Sequence, residues 1–314
     1  MTKKRFRLSP IAVFTLLAAI ILAAIILLQK PSDRGSQAPA PNKPRIAATI
    51  FPLYDIARNI AGDNAEVVLV VPPGASPHTF EPLPSNIREL RGAVAIYAVG
   101  HGLDDWTEKL TAATGVERVL VDDSVNLSDL RENSEDEDGQ AAGPGHDGLD
   151  PHYWLTMANG ARIAHTIAED LKRRLPNAAA AIDQRQMRYF EELAAADREM
   201  RRLLSGTTNR NIVTLHDAWY YFARAYDLRV AGTFEPTAGR EPTPQYLKEL
   251  TDGIRSTGVK VLYSEPQLAS QSIASFLADN GLTLAILDPS GGVPGRDSYI
   301  NMMIYNARTI SQNQ

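Results

Sequence analysis

Cysteine is absent from all 314 residues. Its absence excludes disulfides, thiolate metal sites, a cysteine nucleophile and a lipoprotein-type anchor built on a thiol. Histidine is scarce as well, with six in the chain, so the position of each one carries information. Positive charge is thin outside the N-terminus. The first 30 residues hold Lys3, Lys4, Arg5, Arg7 and Lys30 and no acid, and the whole chain carries a formal −5, which leaves −10 on residues 31–314. A body of that sign does not hold nucleic acid by neutralising phosphates, and it suits cations.

The length and a 44% hydrophobic content are enough for two ordinary domains with cores of their own. At the N-terminus a basic flank precedes a run without a charge from Ile11 to Leu28. At ~1.5 Å per residue, 18 residues reach about 27 Å, close to the hydrocarbon thickness of a bilayer. Signal-peptide cores are shorter, and the nearest candidate cleavage site, Ala38-Pro39-Ala40, lies about ten residues further on. Residues 1–30 are therefore predicted to be an uncleaved membrane anchor, with a long signal peptide as the alternative. In both cases the basic flank stays cytoplasmic and the remainder is exported. Residues 31–44, rich in Pro, Ser and Ala, are predicted to be a flexible tether.

Beyond the tether, short apolar strands alternate with helices. Strands are predicted at 46–50, 66–71, 93–99 and 118–121, with helices at 54–61, 85–91 (capped by Ser85) and 105–114 between them. From Asp122 to Asp150 there are ten acids against the single base Arg131, which predicts a solvated loop. Helices follow at 158–174 and 177–204, the second too long for a crossover within one small lobe and closed by Gly206. The alternation then resumes, with strands at 211–215, 229–232, 259–264 and 282–287. The predicted fold class is α/β: two similar lobes, each a parallel sheet flanked by helices, at 45–176 and 207–314, joined by one long rigid helix at 177–206. Ligands of open α/β sheets bind beyond the C-terminal ends of the strands, so a site is expected in the cleft between the lobes.

Four residues meet that expectation. His78, His152 and His216 each stand in a loop or turn just past an apolar segment, and Asp288 occupies a comparable place in Ala285-Ile286-Leu287-Asp288-Pro289. Three imidazoles and a carboxylate are the inventory of a tetrahedral Zn²⁺ site. His78 and His152 belong to the first lobe, His216 and Asp288 to the second.

The surrounding residues carry a resemblance. Pro77-His78-Thr79-Phe80-Glu81-Pro82 resembles the P-H-x-Y/F-E-P motif of the ABC-transporter metal (zinc/manganese) solute-binding proteins, the ZnuA/TroA-like family. Asp150-Pro151-His152-Tyr153-Trp154-Leu155 is similar to its D-P-H-x-W-L motif, and His216-Asp217-Ala218-Trp219-Tyr220-Tyr221-Phe222 to its H-D-A-F/Y-x-Y-F motif. Leu287-Asp288-Pro289 resembles its last ligand segment, and Ser264-Glu265-Pro266-Gln267 another family segment. The resemblance covers about 46–311 in register. It implies an extracytoplasmic, non-enzymatic and monomeric protein. It further implies a metal captured on His78, His152, His216 and Asp288 and delivered to an ABC permease driven by its ATPase. A histidine at the third ligand position goes with zinc in the family and a glutamate there with manganese, so Zn²⁺ is expected, with Mn²⁺ or Fe²⁺ as alternatives. Ligand chemistry agrees, because Mn²⁺ prefers oxygen.

Glu265 is expected as an acceptor behind a ligand imidazole, and His101 as a cleft-side residue near the site, while His165 reads as an ordinary helix histidine. The acidic 122–150 stretch has only His146, whereas the corresponding loop of many zinc members is rich in histidine and acids and resembles a metal-collecting arm, so deletion of 125–148 is expected to leave tight binding intact. Two rival functions stay open. One is an exported zinc metallohydrolase with Glu265 as general base, against which stands the lack of an H-E-x-x-H helix. The other is a surface adhesin on the same fold.

Overall fold

The computed structural model describes residues 43–127, 149–235, 242–267 and 273–314. The anchor segment 11–28 and residues 128–148 of the acidic stretch lie outside the described residues. Among the described residues no helix is long and apolar enough to cross a membrane.

In the first lobe, β1 (Arg45–Ala48), β2 (Glu66–Leu69), β3 (Ala93–Ala98) and β4 (Glu117–Leu120) form one parallel sheet in the order β2-β1-β3-β4. Its crossovers include α1 (Phe51–Ala61), α2 (Pro84–Leu90) and α3 (Thr107–Thr114). In the second lobe, β5 (Asn211–His216), β6 (Arg229–Glu235), β7 (Val261–Ser264) and β8 (Thr283–Ile286) repeat the arrangement as β6-β5-β7-β8. All the strand pairs are parallel, so the lobes share one strand order.

The element types follow the predicted pattern, while several boundaries shift: the first helix starts at Phe51 instead of 54, and β7 at Val261 instead of 259. Strand β6 runs on to Glu235 instead of ending at Gly232. Helix α2 starts at Pro84, whose fixed φ suits a first turn, and the Asn86 side chain accepts from the Leu83 N–H at 2.8 Å, so Ser85 is not the cap. The long helix is reached through a tight turn at Pro176–Ala178 and ends at Leu204 without a left-handed Gly206.

Helix α4 (Met157–Arg174), capped by Thr156, leads into that long helix, α5 (Ala179–Leu204). At ~1.5 Å per residue α5 is about 39 Å long. Its buried positions Ile182, Gln186, Tyr189, Leu193, Ala196, Met200 and Leu204 recur every three or four residues, which puts them on one stripe. In the second lobe, α6 (Tyr220–Ala225), α7 (Pro244–Thr257) and α8 (Ala274–Asn280) flank the sheet. The last helix, α9 (Tyr299–Asn313), crosses back: the Tyr299 N–H donates to Asp55 in α1 at 2.9 Å, and the helix packs along α5.

One hydrophobic core runs without interruption from Ile46 and Ile96's neighbour Tyr97 in the first sheet, through Ile163 and Leu193, to Tyr263 and Met302. Smaller clusters on the outer faces close each lobe separately. The lobes are therefore joined by packed side chains as well as by one helix.

Candidate metal centre

Each histidine is delivered by backbone geometry that its neighbours dictate. The prolines of 72–77 stiffen the loop after β2 and end it in a tight turn at Pro77–Thr79, which presents His78. Trp106 Nε1 donates to the Pro77 carbonyl at 3.1 Å, and the Trp106 ring packs on Phe80. His216 is the last residue of β5. His152 lies just ahead of α4, flanked by buried Tyr153 and Trp154. Trp154 Nε1 reaches across to the Pro289 carbonyl of the second lobe at 2.8 Å.

The three rings converge. His78 Nε2 lies 3.1 Å from His152 Nε2, and His216 Nε2 lies 3.4 Å from the same atom. Ring centroids stand 5.2, 5.2 and 5.7 Å apart. A tetrahedral ion with bonds of ~2.0–2.1 Å separates its nitrogen ligands by about 3.3 Å, so these spacings are those of one face of such a coordination shell.

Two carboxylates stand behind the rings, on the side away from the point where the Nε2 atoms meet. Asp150 Oδ1 is 2.8 Å from His152 Nδ1 and also accepts from the His152 N–H at 2.9 Å. Glu265 Oε1 is 2.6 Å from His216 Nδ1, an ion-pair contact without hydrogen-bond geometry, and accepts from Trp219 Nε1 at 3.2 Å. Both carboxylates are almost wholly buried. A carboxylate at Nδ1 keeps the proton there, which turns the Nε2 lone pairs of His152 and His216 toward each other at 3.4 Å. That arrangement calls for a positive charge between them. Burial pushes the His216 pKa down, but the charge and contact of Glu265 outweigh it and hold it above the ordinary histidine value. Burial also pushes the neighbouring Asp217 up to about 6, with Asp150 adding to the shift and His216 opposing it.

The space enclosed is small. A cavity of ≈ 30 Å³ lies between the lobes, walled by His78, His152 and Trp154 on one side and His216, Glu265 and Ser290 on the other. It admits an ion or a water and is an order of magnitude below the ~300 Å³ at which organic-ligand pockets begin.

Among the described residues, the group of potential ligand atoms lying within 4.8 Å of one another is His78, His152 and His216. Asp288 is buried nearby but is not part of it. Its Oδ1 accepts from the Ser290 and Gly291 N–H groups, and its Oδ2 lies 3.2 Å from Arg296 Nη1. Glu265 stands behind His216 as described. His101 faces elsewhere, with Nε2 2.9 Å from Asp122 Oδ2 and its ring edge-on to Tyr153. His165 lies in α4 beside Gln186 of α5. Sequence reasoning passed over Asp150 and Arg296 as contributors to the site.

Comparison with known proteins places this geometry. The family model for ZnuA, "Zinc-uptake complex component A periplasmic", matches residues 46–313. The metal ABC transporter substrate-binding lipoprotein SsaB of Streptococcus sanguinis is 29% identical over 94% of this chain and 96% of its own. The manganese-binding lipoprotein MntA of Halalkalibacterium halodurans is 27% identical over 84% and 86%. The zinc-binding lipoprotein AdcA of Streptococcus pneumoniae serotype 4 is 26% identical over 88% of this chain, which spans 57% of AdcA. Among solved structures, a crystal structure of ZnuA superposes with a TM-score of 0.75 at 26% identity, covering 86% of this chain and 98% of that one. A single-family match over nearly the whole described chain, two parallel sheets in the same strand order and three histidines meeting between them lead to one conclusion: the chain belongs to the ZnuA family of metal-binding, substrate-binding components of ABC transporters.

Proposed function

We propose that the protein captures Zn²⁺ between its lobes outside the cytoplasm and hands it to a membrane permease. The observation that carries the reading is the triangle of Nε2 atoms, at 3.1 and 3.4 Å from His152, with Asp150 and Glu265 fixing two of the three rings. Three imidazoles favour Zn²⁺ over Mn²⁺, which prefers oxygen. Relatives are named for both metals, so the donor set and not kinship supports zinc. Asp288, from the second lobe, is the proposed additional oxygen ligand, engaged only when its carboxylate leaves Arg296. The core shared between the lobes favours capture with a small tilt rather than a wide closure.

Export and membrane tethering rest on the basic flank and the uncharged 11–28 run, in a chain that has no cysteine to take a lipid, unlike relatives named lipoproteins. Binding rather than catalysis is supported by Glu265, which is occupied at His216 Nδ1, on the far side of that ring from the metal face. A general base would have to reach a metal-bound water on the near side.

The test is elemental analysis of the purified chain with competition titration for Zn²⁺ and Mn²⁺, beside His78→Ala, His152→Ala and His216→Ala. Tight Zn²⁺ binding lost in each variant is expected. A wild type that loads manganese and ignores zinc would sink the zinc assignment, and binding that survives all three variants would sink the site.

A further inference from the structure

Asp288 is the member of the expected ligand set that stands outside the histidine triangle, and its surroundings show why. Oδ1 accepts from the N–H groups of Ser290 at 2.9 Å and Gly291 at 2.8 Å. Oδ2 is turned to Arg296 Nη1 at 3.2 Å. Asn306 clasps the residue's backbone, accepting from the Asp288 N–H and donating to its carbonyl, both at 2.8 Å. Arg296 is brought there by a tight fold of the 291–296 segment: Gly292 N–H donates to the Arg296 carbonyl, Val293 and Arg296 form an antiparallel bridge, and Gly291 and Gly292 take positive φ. Its guanidinium lies over the Tyr305 ring at 4.8 Å. The contact with Asp288 is at ion-pair distance but lacks hydrogen-bond geometry, so charge and not a well-aligned fork holds the carboxylate. Pro289 and Ser290 wall the metal cavity, which leaves the Asp288 carboxylate one residue behind that wall.

We propose that Arg296 is a positioning residue that competes with the metal for Asp288 and thereby sets metal choice at this site. The inference rests on the metal-capture reading above. For Asp288 to enter the coordination shell, Oδ2 must leave Arg296, and a guanidinium with a side chain only 19% exposed is then left without its counter-charge. That cost is the same whichever ion arrives. The gain from the carboxylate differs: three imidazoles already satisfy Zn²⁺, whereas Mn²⁺ depends more on oxygen. Arg296 therefore penalises the oxygen-preferring ion more and keeps the site selective for the nitrogen-preferring one.

The experiment is competition titration of the full chain with Zn²⁺ and Mn²⁺ in wild type, Arg296→Gln, Asp288→Asn and the double variant. The visible spectrum of bound Co²⁺ serves as a readout of coordination. Arg296→Gln is expected to raise the Mn²⁺/Zn²⁺ affinity ratio by about tenfold, the usual scale of coupling between linked sites, and to change the Co²⁺ spectrum as a carboxylate joins. Asp288→Asn in the same chain should cancel both effects. Loss of a nearby positive charge alone would strengthen both metals equally, so the ratio and its cancellation separate competition for Asp288 from simple electrostatics. If Arg296→Gln does not fold, Arg296→Lys carries the test with a smaller shift in the same direction, again cancelled by Asp288→Asn. An unchanged ratio, or a change that survives Asp288→Asn, overturns the proposal while leaving metal capture intact. Failure of the wild type to bind metal through its histidines overturns the capture reading itself.

Discussion

Glu265 Oε1 lies 2.6 Å from His216 Nδ1, on the opposite side of the imidazole from the point where the three Nε2 atoms meet. The carboxylate is buried and its second partner is Trp219 Nε1, so it has no solvent to neutralise it. Such an acceptor raises the basicity of the ring it holds and fixes its tautomer. A proton and a metal ion both profit from it, and the divalent ion profits more because it carries twice the charge.

Glu265→Gln keeps an oxygen at Nδ1 and removes the charge. Metal affinity is expected to fall by about 10–100-fold, the range for such outer partners, with the fold unchanged by circular dichroism. Competition titration measures it, and affinity equal to wild type would detach Glu265 from the site.

Asp150 makes the matching contact with His152, and it does so twice, at the ring and at the backbone N–H. Asp150→Ala, which removes the acceptor from both contacts, should therefore cost affinity on at least the same scale, ~10–100-fold, and should also loosen the loop before α4, because the backbone contact is an Asx-type turn that orients the whole residue. Hydrogen exchange at 152–156 is expected to speed up alongside the weaker binding. Weaker binding with unchanged exchange would show that the carboxylate acts on the ring alone.

How far these residues could be read in advance depends on how local their signals are. His78, His152 and His216 were legible because each carries its own neighbours with it: a proline-stiffened loop, a tryptophan two residues on, the end of an apolar strand. Asp150 stood in the Asp150-Pro151-His152 motif, but its role behind the imidazole was masked by the acidic run it closes. Ten acids between 122 and 150 read as a solvated stretch, although an aspartate two residues ahead of a histidine is the spacing of an Asx-type turn. Arg296 stands in a Gly- and Pro-rich segment with no periodicity, and what it faces is decided by the fold of that segment. The return of α9 onto α1 and α5 is likewise invisible to local pattern, since the Asp55–Tyr299 contact joins residues 244 apart. The Asp288 assignment shows the same limit, because sequence placed the residue at the cleft but did not show the guanidinium that claims its carboxylate.

Residues 125–148 begin just after one anchored point and end just before another. Asp122 is held by His101 and Asp150 holds His152, so the ligand geometry has its own supports on both sides. Deleting 125–148 with a short Gly/Ser bridge is expected to leave Zn²⁺ affinity within about threefold of wild type, a small change beside the ~10–100-fold effect of an outer-shell partner. Loss of tight binding in the deletion, measured by the same titration, would mean that the stretch contributes to the primary site.

Gly160 in α4 gives a test of the packing that joins the lobes. A Cβ built there would stand 2.7 Å from the Tyr299 ring carbon Cε1 and from its hydroxyl. Tyr299 cannot swing away: it is fully buried, and its hydroxyl is shared between the carbonyls of Trp154 at 2.6 Å and Thr156 at 2.8 Å. Gly160→Ala is expected to destabilise the fold by about 1–3 kcal/mol, the usual cost of forcing extra volume into a packed core. Because Trp154 walls the metal cavity, metal affinity should fall with it. Chemical denaturation measures the first effect and titration the second. An unchanged midpoint would show that α9 can move off α4 at little cost.

The contact between His101 and Asp122 makes a prediction about acid. His101 takes a left-handed backbone, φ 54°, uncommon outside glycine, and its Nε2 meets Asp122 Oδ2 at 2.9 Å. That contact holds the Asp122 carboxyl below its ordinary value, against burial, which raises it. With the folded pKa lowered, the unfolded chain takes up its proton first as the pH falls. The stabilisation is thus fully present above the unfolded value, about 4, and disappears as the pH drops through the folded one. Asp122→Asn lacks this contribution at every pH. Thermal melts of wild type and Asp122→Asn should differ at about pH 5 and converge as further acid protonates the wild-type carboxyl. Curves that remain parallel to the most acidic pH at which both proteins fold would show that the His101 contact does not stabilise the ionised form.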